Sequence, residues 1–344
     1  FLCNLIIFIY RLDYWYLLEV IYLDLLEQLL NAFGVSGSEE NIRKIIVKEI
    51  KNYFDKIYVD KLGNLIAHKK GKRPRVMLAA HMDEVGLIVK NIDFKGRIYF
   101  STIGGIDPLS LLGQRVSVNT KKGLIYGVIT FNNMSNAFLP SIEPIKLHDL
   151  FIDMGLSQKE LIKLGLRTGD YIFFKRKAIN LGNKNIVSSK ALDDRVGCYI
   201  LIQLAKKLKK IKNEIYFTFT VQEEVGLYGA KTSAYSIDPD WAIAVDVTNA
   251  DDFADDATIK ISHGPSVTIK DAEMISNPKI DDWIRTLSKK HKIPLQLDVS
   301  DFGTTDALNI SVSREGVPST SVTVPVRNLH TTIGMVDRRD IELA

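Results

Sequence analysis

The run Val76–Ala80 is continuously apolar, with no polar face to turn toward water, so it is expected to be a strand buried on both sides. Such a strand needs helices over both faces of its sheet, and the surrounding sequence offers them. Leu23–Phe33 reads as a helix. Ser36 and Glu39 have the spacing of a capping box for a second helix, whose apolar positions Ile42, Ile45, Ile46, Ile50 and Phe54 recur at helical intervals. Short strands are expected at Ile57–Val59 and Leu65–His68. Beyond Lys190 strand and helix alternate: helix Arg195–Leu208, strands Ile215–Val221 and Ala242–Val247, helix Pro278–His291 and strand Ser319–Val324. The expected class is α/β, a mixed sheet sandwiched by helices.

Between about Gly86 and Leu181 the pattern changes to short alternating segments such as Arg115–Val118 and Leu124–Thr130, separated by Gly, Asn and Asp turns. This reads as a β-rich module, residues 86–181, inserted into a domain formed by residues 23–85 and 182–344. Residues 1–22 are read as an extension outside the functional fold. Phe1–Tyr10 is nearly all apolar, but a bilayer-spanning helix needs about 20 such residues. The segment also lacks the basic start and small-residue cleavage site of a signal peptide.

The 45 basic and 41 acidic residues are spread along the chain and leave a net charge of +4, without the long basic block that tracks phosphates. Neither nucleic acid nor a membrane is the expected partner. Two cysteines, Cys3 and Cys198, form no CxxC pair, which argues against a disulfide-stapled secreted domain and against a thiolate zinc site. A cytoplasmic setting is expected.

Polar residues sit at the ends of these strands, where open α/β sheets place ligands. His81 and Asp83 follow Val76–Ala80, Glu223 and Glu224 follow the strand ending at Val221, and His330 lies shortly after Ser319–Val324. Asp193 and Asp194 precede a helix and could cap it. Asp246 lies inside the apolar run Ala242–Val247, where a carboxylate is costly unless a partner, such as a cation, compensates it. Two histidines and three carboxylates are the donor set expected for a pair of divalent ions such as Zn²⁺ or Co²⁺. A turn after Val221 can bring both glutamates to one cavity, one to bind metal and the other to act as general base. Asp83 is spaced to orient the His81 imidazole.

These residues lie in segments that resemble the glutamyl and deblocking aminopeptidases, a co-catalytic metallopeptidase family that includes the tetrahedral aminopeptidases. The matching stretches are AAHMDEVGLIV (79–89), SKALDDRVG (189–197), VQEEVGLYGA (221–230), AVDVT (244–248) and PVRNLHTTIGMVD (325–337), with weaker support from GVSGSEE, VDKLGNLIA and GTTDA. The resemblance implies a zinc-aminopeptidase-like fold with two metal ions per subunit. His81 and Asp246 would hold one ion, Glu224 and His330 the other, and Asp193 would bridge them. Glu223 matches the general base, Asp83 the acidic residue behind the first histidine, and the Asp193–Asp194 peptide a bond that relatives hold cis. The inserted module would be a β-barrel that supports dimers, and six dimers would form a hollow tetrahedral particle acting on peptides.

The chain departs from the family pattern at Thr331, Thr332 and Gly334, where a Ser-Pro and a downstream Glu are usual, and at Phe131–Met134, where Lys-Pro-Pro-His is usual. Relatives also continue their last helix beyond the position of Ala344. The expected function is removal of N-terminal residues from peptides. The alternatives are deacylation of N-acyl amino acids or small amides on the same metal core, and a non-catalytic peptide-holding assembly, against which the intact Glu223 weighs.

Overall fold

A computed structural model of the chain describes residues 24–131, 145–209, 211–255 and 257–344. The expectation for residues 1–22 and, apart from Phe131, the altered segment Phe131–Met134 lie outside the described residues. The central sheet has eight strands in the order Lys56–Val59, Leu65–Lys69, Asn213–Thr220, Lys72–His81, Trp241–Asn249, Ser319–Val326, Ser266–Lys270 and Gln296–Val299. The four strands from Asn213–Thr220 to Ser319–Val326 run parallel to one another, while Leu65–Lys69 on one side and Ser266–Lys270 on the other join them antiparallel. The sheet is therefore mixed, as expected. Its four parallel strands end along one edge.

Lys72–His81 shows why helices cover both faces. Leu78 and Ala80 join a core with Ile42, Ile46 and Ile50 of helix Glu40–Ile50 and with Leu201 and Ala205 of helix Leu192–Lys207. Met77 and Ala79 point the other way, toward Ala230, Ala234 and Ile237 of helix Tyr228–Ile237 and Ile310 of helix Asp306–Ser311. Successive side chains alternate across a strand, so a run with no polar member must be enclosed twice.

The expected β-rich module is a closed barrel of six strands, all falling between Gly86 and Phe174: Gly86–Ile92, Ile98–Ile103, Leu150–Asp153, Gly123–Phe131, Arg115–Thr120 and Tyr171–Phe174, the last pairing back to the first. It has its own core, including Leu87, Val89, Ile98, Val116, Val118, Ile129, Ile152 and Ile172. Three short antiparallel strands, Ile179–Asn180, Ile186–Ser189 and Gly334–Asp337, form a further sheet. The pairing Ser189↔Gly334 ties the segment that leads to Asp193 to the segment that follows His330.

One local expectation is corrected. Ser36 and Glu39 form no capping box: Glu39 precedes helix Glu40–Ile50 without capping it, and its carboxylate accepts instead from the Gly37 amide at 2.6 Å. The Ser36 hydroxyl donates to Asp83 Oδ2 at 2.6 Å. Donation to a buried carboxylate is a charge-assisted hydrogen bond, stronger than the neutral one the hydroxyl would accept from a helix amide, so the long-range contact wins.

Candidate metal centre

The functional side chains gather at the edge where the parallel strands end. His81 closes Lys72–His81 and stands in register with Thr220, the last residue of the neighbouring strand. After Val221 the chain turns through Gln222, whose φ of 56° is left-handed, and both glutamates face the cavity. Asp246 lies on Trp241–Asn249 opposite Thr323. His330, with φ 56°, sits in the turn between Val326 and Gly334. The Asp193–Asp194 peptide is cis. Asp193 faces the cavity, while Asp194 is fully buried and accepts from the amides of Gly197 at 2.8 Å and His81 at 3.3 Å.

Asp193 is the hub. Its Oδ1 lies 2.7 Å from His81 Nε2 and its Oδ2 lies 3.3 Å from His330 Nε2. Around it stand two groups, His81 with Asp193 and Asp246, and Asp193 with Glu224 and His330, each offering ligand atoms all within 4.8 Å of one another. The groups share only Asp193. Glu223 belongs to neither, and its Oε2 is 4.0 Å from His81 Nε2.

Asp83 holds the arrangement together. Its carboxylate accepts from Ser36 Oγ at 2.6 Å and from the amides of Glu223 at 3.1 Å and Glu224 at 3.2 Å, and it lies 3.6 Å from His81 Nδ1. His81 Nδ1 also approaches the Asp83 carbonyl oxygen at 3.1 Å. A proton placed on Nδ1 by these acceptors leaves Nε2 with a free lone pair toward Asp193 and Asp246.

The electrostatics fit a cation-binding site. Burial, reinforced by the charge of Asp193, pushes the Glu224 carboxyl up to about 8, and its Oε1 is buried without a hydrogen-bond partner. Burial also raises Asp246 to about 8, with the His81 charge opposing and Asp193 adding to the rise. Glu223 is pushed well above the carboxylate range, by burial first. Burial works against ionised Asp193 too, but the two imidazoles hold its pKa low. His330 rises to about 9 because Asp193 accepts from it. Four carboxylates converging on two imidazoles in a mostly buried cavity are a strained set without cations. Oxygen and imidazole donors in this mixture suit zinc or cobalt.

Sequence reasoning missed the ionic cluster that supports this centre. Glu84, 3% exposed, accepts from Lys190 Nζ at 2.7 and 2.8 Å and faces Arg195 at 3.4 Å. Arg195, fully buried, donates to the carbonyls of Met82 at 2.8 Å and Leu29 at 2.7 Å. The cluster locks the turn after His81 to the segment carrying Asp193. Glu84→Ala would strand two buried cations and is expected to cost about 3–5 kcal/mol, read from the urea midpoint. A loss below about 1 kcal/mol, the range of exposed pairs, would contradict this role. The barrel contributes Gly104 and Gly105: a Cβ at Gly104 would meet Glu224 Oε2 at 3.2 Å, and one at Gly105 would meet His330 Nδ1 at 3.2 Å. The requirement is strict at Gly104, whose φ of 79° is left-handed and where a Cβ would also meet Val85 Cγ1 at 2.7 Å. At the unusual Thr331, the hydroxyl donates to the Asn328 carbonyl at 2.7 Å and accepts from the Ile333 amide at 3.2 Å, closing the His330 turn on itself.

Comparison with known proteins follows the same outline. The family profile of M42 glutamyl aminopeptidases matches residues 63–344. A lysyl aminopeptidase of Pyrococcus furiosus is 35% identical over 93% of this chain and 93% of its own length. Among solved structures, an aminopeptidase from the archaeon Desulfurococcus kamchatkensis is 37% identical, covers 93% of this chain and 91% of its own, and superposes with a TM-score of 0.88. The Pyrococcus horikoshii TET1 peptidase, described as able to assemble into a tetrahedron or a large octahedral shell, is 33% identical with a TM-score of 0.83, over 92% of this chain and 95% of its own. Among the described residues, no helix is long and apolar enough to cross a membrane.

Proposed function

Because the chain belongs to the M42 glutamyl aminopeptidase family, we propose that it is a dinuclear metal-dependent aminopeptidase that releases N-terminal residues from peptides, with Glu223 as general base. The observation that carries this reading is the pair of ligand groups sharing Asp193 beside a carboxylate, Glu223, that belongs to neither. His81 and Asp246 would hold one divalent ion, Glu224 and His330 the other, and Asp193 both; zinc and cobalt suit the donors. When bound, the ions would polarise the scissile carbonyl and acidify a water molecule.

The chain's own residues do the rest. Asp83 orients His81 through Nδ1 and, by accepting the amides of Glu223 and Glu224, presents both glutamates to one cavity. Glu223 takes a proton from the attacking water and passes it to the leaving amine, a transfer that its burial favours by making the carboxylate more basic. The cavity beside the centre, about 1020 Å³, is large enough for a peptide's first residues.

The reading includes a homo-oligomer assembled through the barrel domain, extending from dimers to the closed shell described for the TET1 peptidase. It is supported by the exposed side chains of Leu124, Tyr126 and Val128, alternate residues on one face of strand Gly123–Phe131. The buried, unpaired thiol of Cys198 supports a cytoplasmic setting.

Substrate class tests the proposal. With zinc or cobalt supplied, aminoacyl-p-nitroanilides are expected to be hydrolysed and the corresponding N-acetylated anilides spared. Hydrolysis of N-acyl amino acids in place of aminoacyl-anilides would instead establish a deacylase on the same centre.

A further inference from the structure

We propose that Asn64 is a positioning residue for the reaction, a buried amide that clamps both ends of the turn carrying Glu223 and Glu224. The inference rests on the aminopeptidase reading above and adds to it a residue that does not line the cavity. Asn64 ends the stretch VDKLGN, which leads into strand Leu65–Lys69, and it is fully buried. A buried side-chain amide needs partners for its oxygen and its nitrogen, and the partners of Asn64 lie about the base of that turn.

The turn requires such a clamp. Strand Asn213–Thr220 pairs with Leu65–Lys69 as far as Phe219↔Leu65, and with Lys72–His81 as far as Thr220↔His81. Beyond these pairs the ladder stops. The chain then passes through Gln222 and Leu227, both left-handed at φ 56°, before helix Tyr228–Ile237 begins. Non-glycine residues hold that conformation where the surrounding structure imposes it. Asn64 does so at the base: its Oδ1 accepts from the Val221 amide at 3.0 Å, and its Nδ2 donates to the Gly229 carbonyl at 3.0 Å. The Gly229 amide donates in turn to the Val221 carbonyl at 3.0 Å. A Cβ at Gly229 would lie 2.4 Å from both Asn64 Oδ1 and the Val221 carbonyl oxygen, so the closure leaves no room for a side chain there. Asp83 holds the middle of the turn through the amides of Glu223 and Glu224, and Asn64 holds its ends.

The direction of the Asn64 amide is itself fixed. Asp60 Oδ1 accepts from the amides of Leu62 at 3.0 Å, Gly63 at 2.9 Å and Asn64 at 2.9 Å, while Asp60 Oδ2 accepts from Asn64 Nδ2 at 2.7 Å. A carboxylate can only accept, so it selects the orientation that points Nδ2 toward itself and Oδ1 toward Val221. Aspartate at position 64 would keep the acceptor for Val221, lose the donations to Gly229 and Asp60, and set a second carboxylate against Asp60. The turn's base would then shift, and Glu223 and Glu224 would shift with it.

The test compares wild type, Asn64→Asp and the milder Asp60→Asn in the full chain. Each is assayed on the aminoacyl-p-nitroanilide that the wild type hydrolyses fastest, titrated with zinc by calorimetry after metal removal, and unfolded in urea. Expected for Asn64→Asp is a kcat lower by on the order of 10–100-fold, the effect of misplacing a reacting group by about 1 Å. KM should stay near wild type, because the cavity lining is intact. Zinc affinity should fall about 10–100-fold at one of the two sites, the one that Glu224 serves, and hold at the other. Asp60→Asn keeps an oxygen for the three amides but turns a donor toward Asn64 Nδ2, so kcat and the same zinc site should move in the same direction by less. It supplies the reading if Asn64→Asp does not fold. Lower urea stability with kcat and both zinc affinities at wild-type values, in whichever variant folds, makes Asn64 a scaffold residue and overturns the proposal. Failure of both variants to fold overturns it too. Absence of anilide hydrolysis by the wild type overturns the aminopeptidase reading instead, while selective loss of one zinc site would still uphold the clamp on Glu224.

Discussion

Glu223→Gln is expected to lower kcat by about 10²–10⁴-fold, the usual contribution of a general base, while the variant folds and keeps its ions. The substitution preserves shape and removes only the ability to accept a proton. Glu223 is outside both ligand groups, so metal content should match wild type. Its backbone amide, which donates to Asp83 at 3.1 Å, is untouched, so the turn carrying Glu224 stays in place. Steady-state kinetics beside metal analysis separates the possibilities. Wild-type turnover in the variant would remove Glu223 from the mechanism, and loss of an ion together with activity would make it a ligand instead.

Asp193→Asn should have the largest effect on the ions themselves. Asp193 alone belongs to both groups, with one oxygen 2.7 Å from His81 and the other 3.3 Å from His330. An amide nitrogen in place of one oxygen cannot donate a lone pair, so one of the two sites loses a ligand outright. The other loses the negative charge that offsets two cations. Affinity is therefore expected to fall at both sites, on the order of 100-fold or more, given that changes even behind the ligands cost 10–100-fold.

The strand ends were legible in the sequence because a physical penalty marked them. A carboxylate inside Ala242–Val247 needs a partner, and apolar runs that stop at His81 and at Val221 put their following polar residues on one edge once the strands align in parallel. The helical faces were legible for a similar reason: Ile42, Ile46 and Ile50 recur at a helix's own period, and all three are buried. Contacts between distant segments were less legible. Ser36 satisfies a local capping rule with Glu39, yet its hydroxyl went to Asp83, 47 residues away. Glu84, Lys190 and Arg195 look like ordinary charges until the fold buries them together. The close passage of Gly104 and Gly105 over Glu224 and His330 depends on how the barrel sits against the sheet, which no local pattern encodes. Alternation between Arg115 and Thr130 indicated strands; their closure into a barrel depends on Tyr171–Phe174 returning to Gly86–Ile92.

Counting the ions tests the central claim most directly. Metal-stripped wild-type chain and Asp193→Asn, each titrated with zinc and with cobalt by calorimetry and checked by elemental analysis, should differ in stoichiometry as well as affinity. Two ions per wild-type chain, with tight binding at both sites lost in Asp193→Asn, is the predicted result. One ion per wild-type chain, or two ions retained tightly in Asp193→Asn, would contradict a centre in which Asp193 joins two metals.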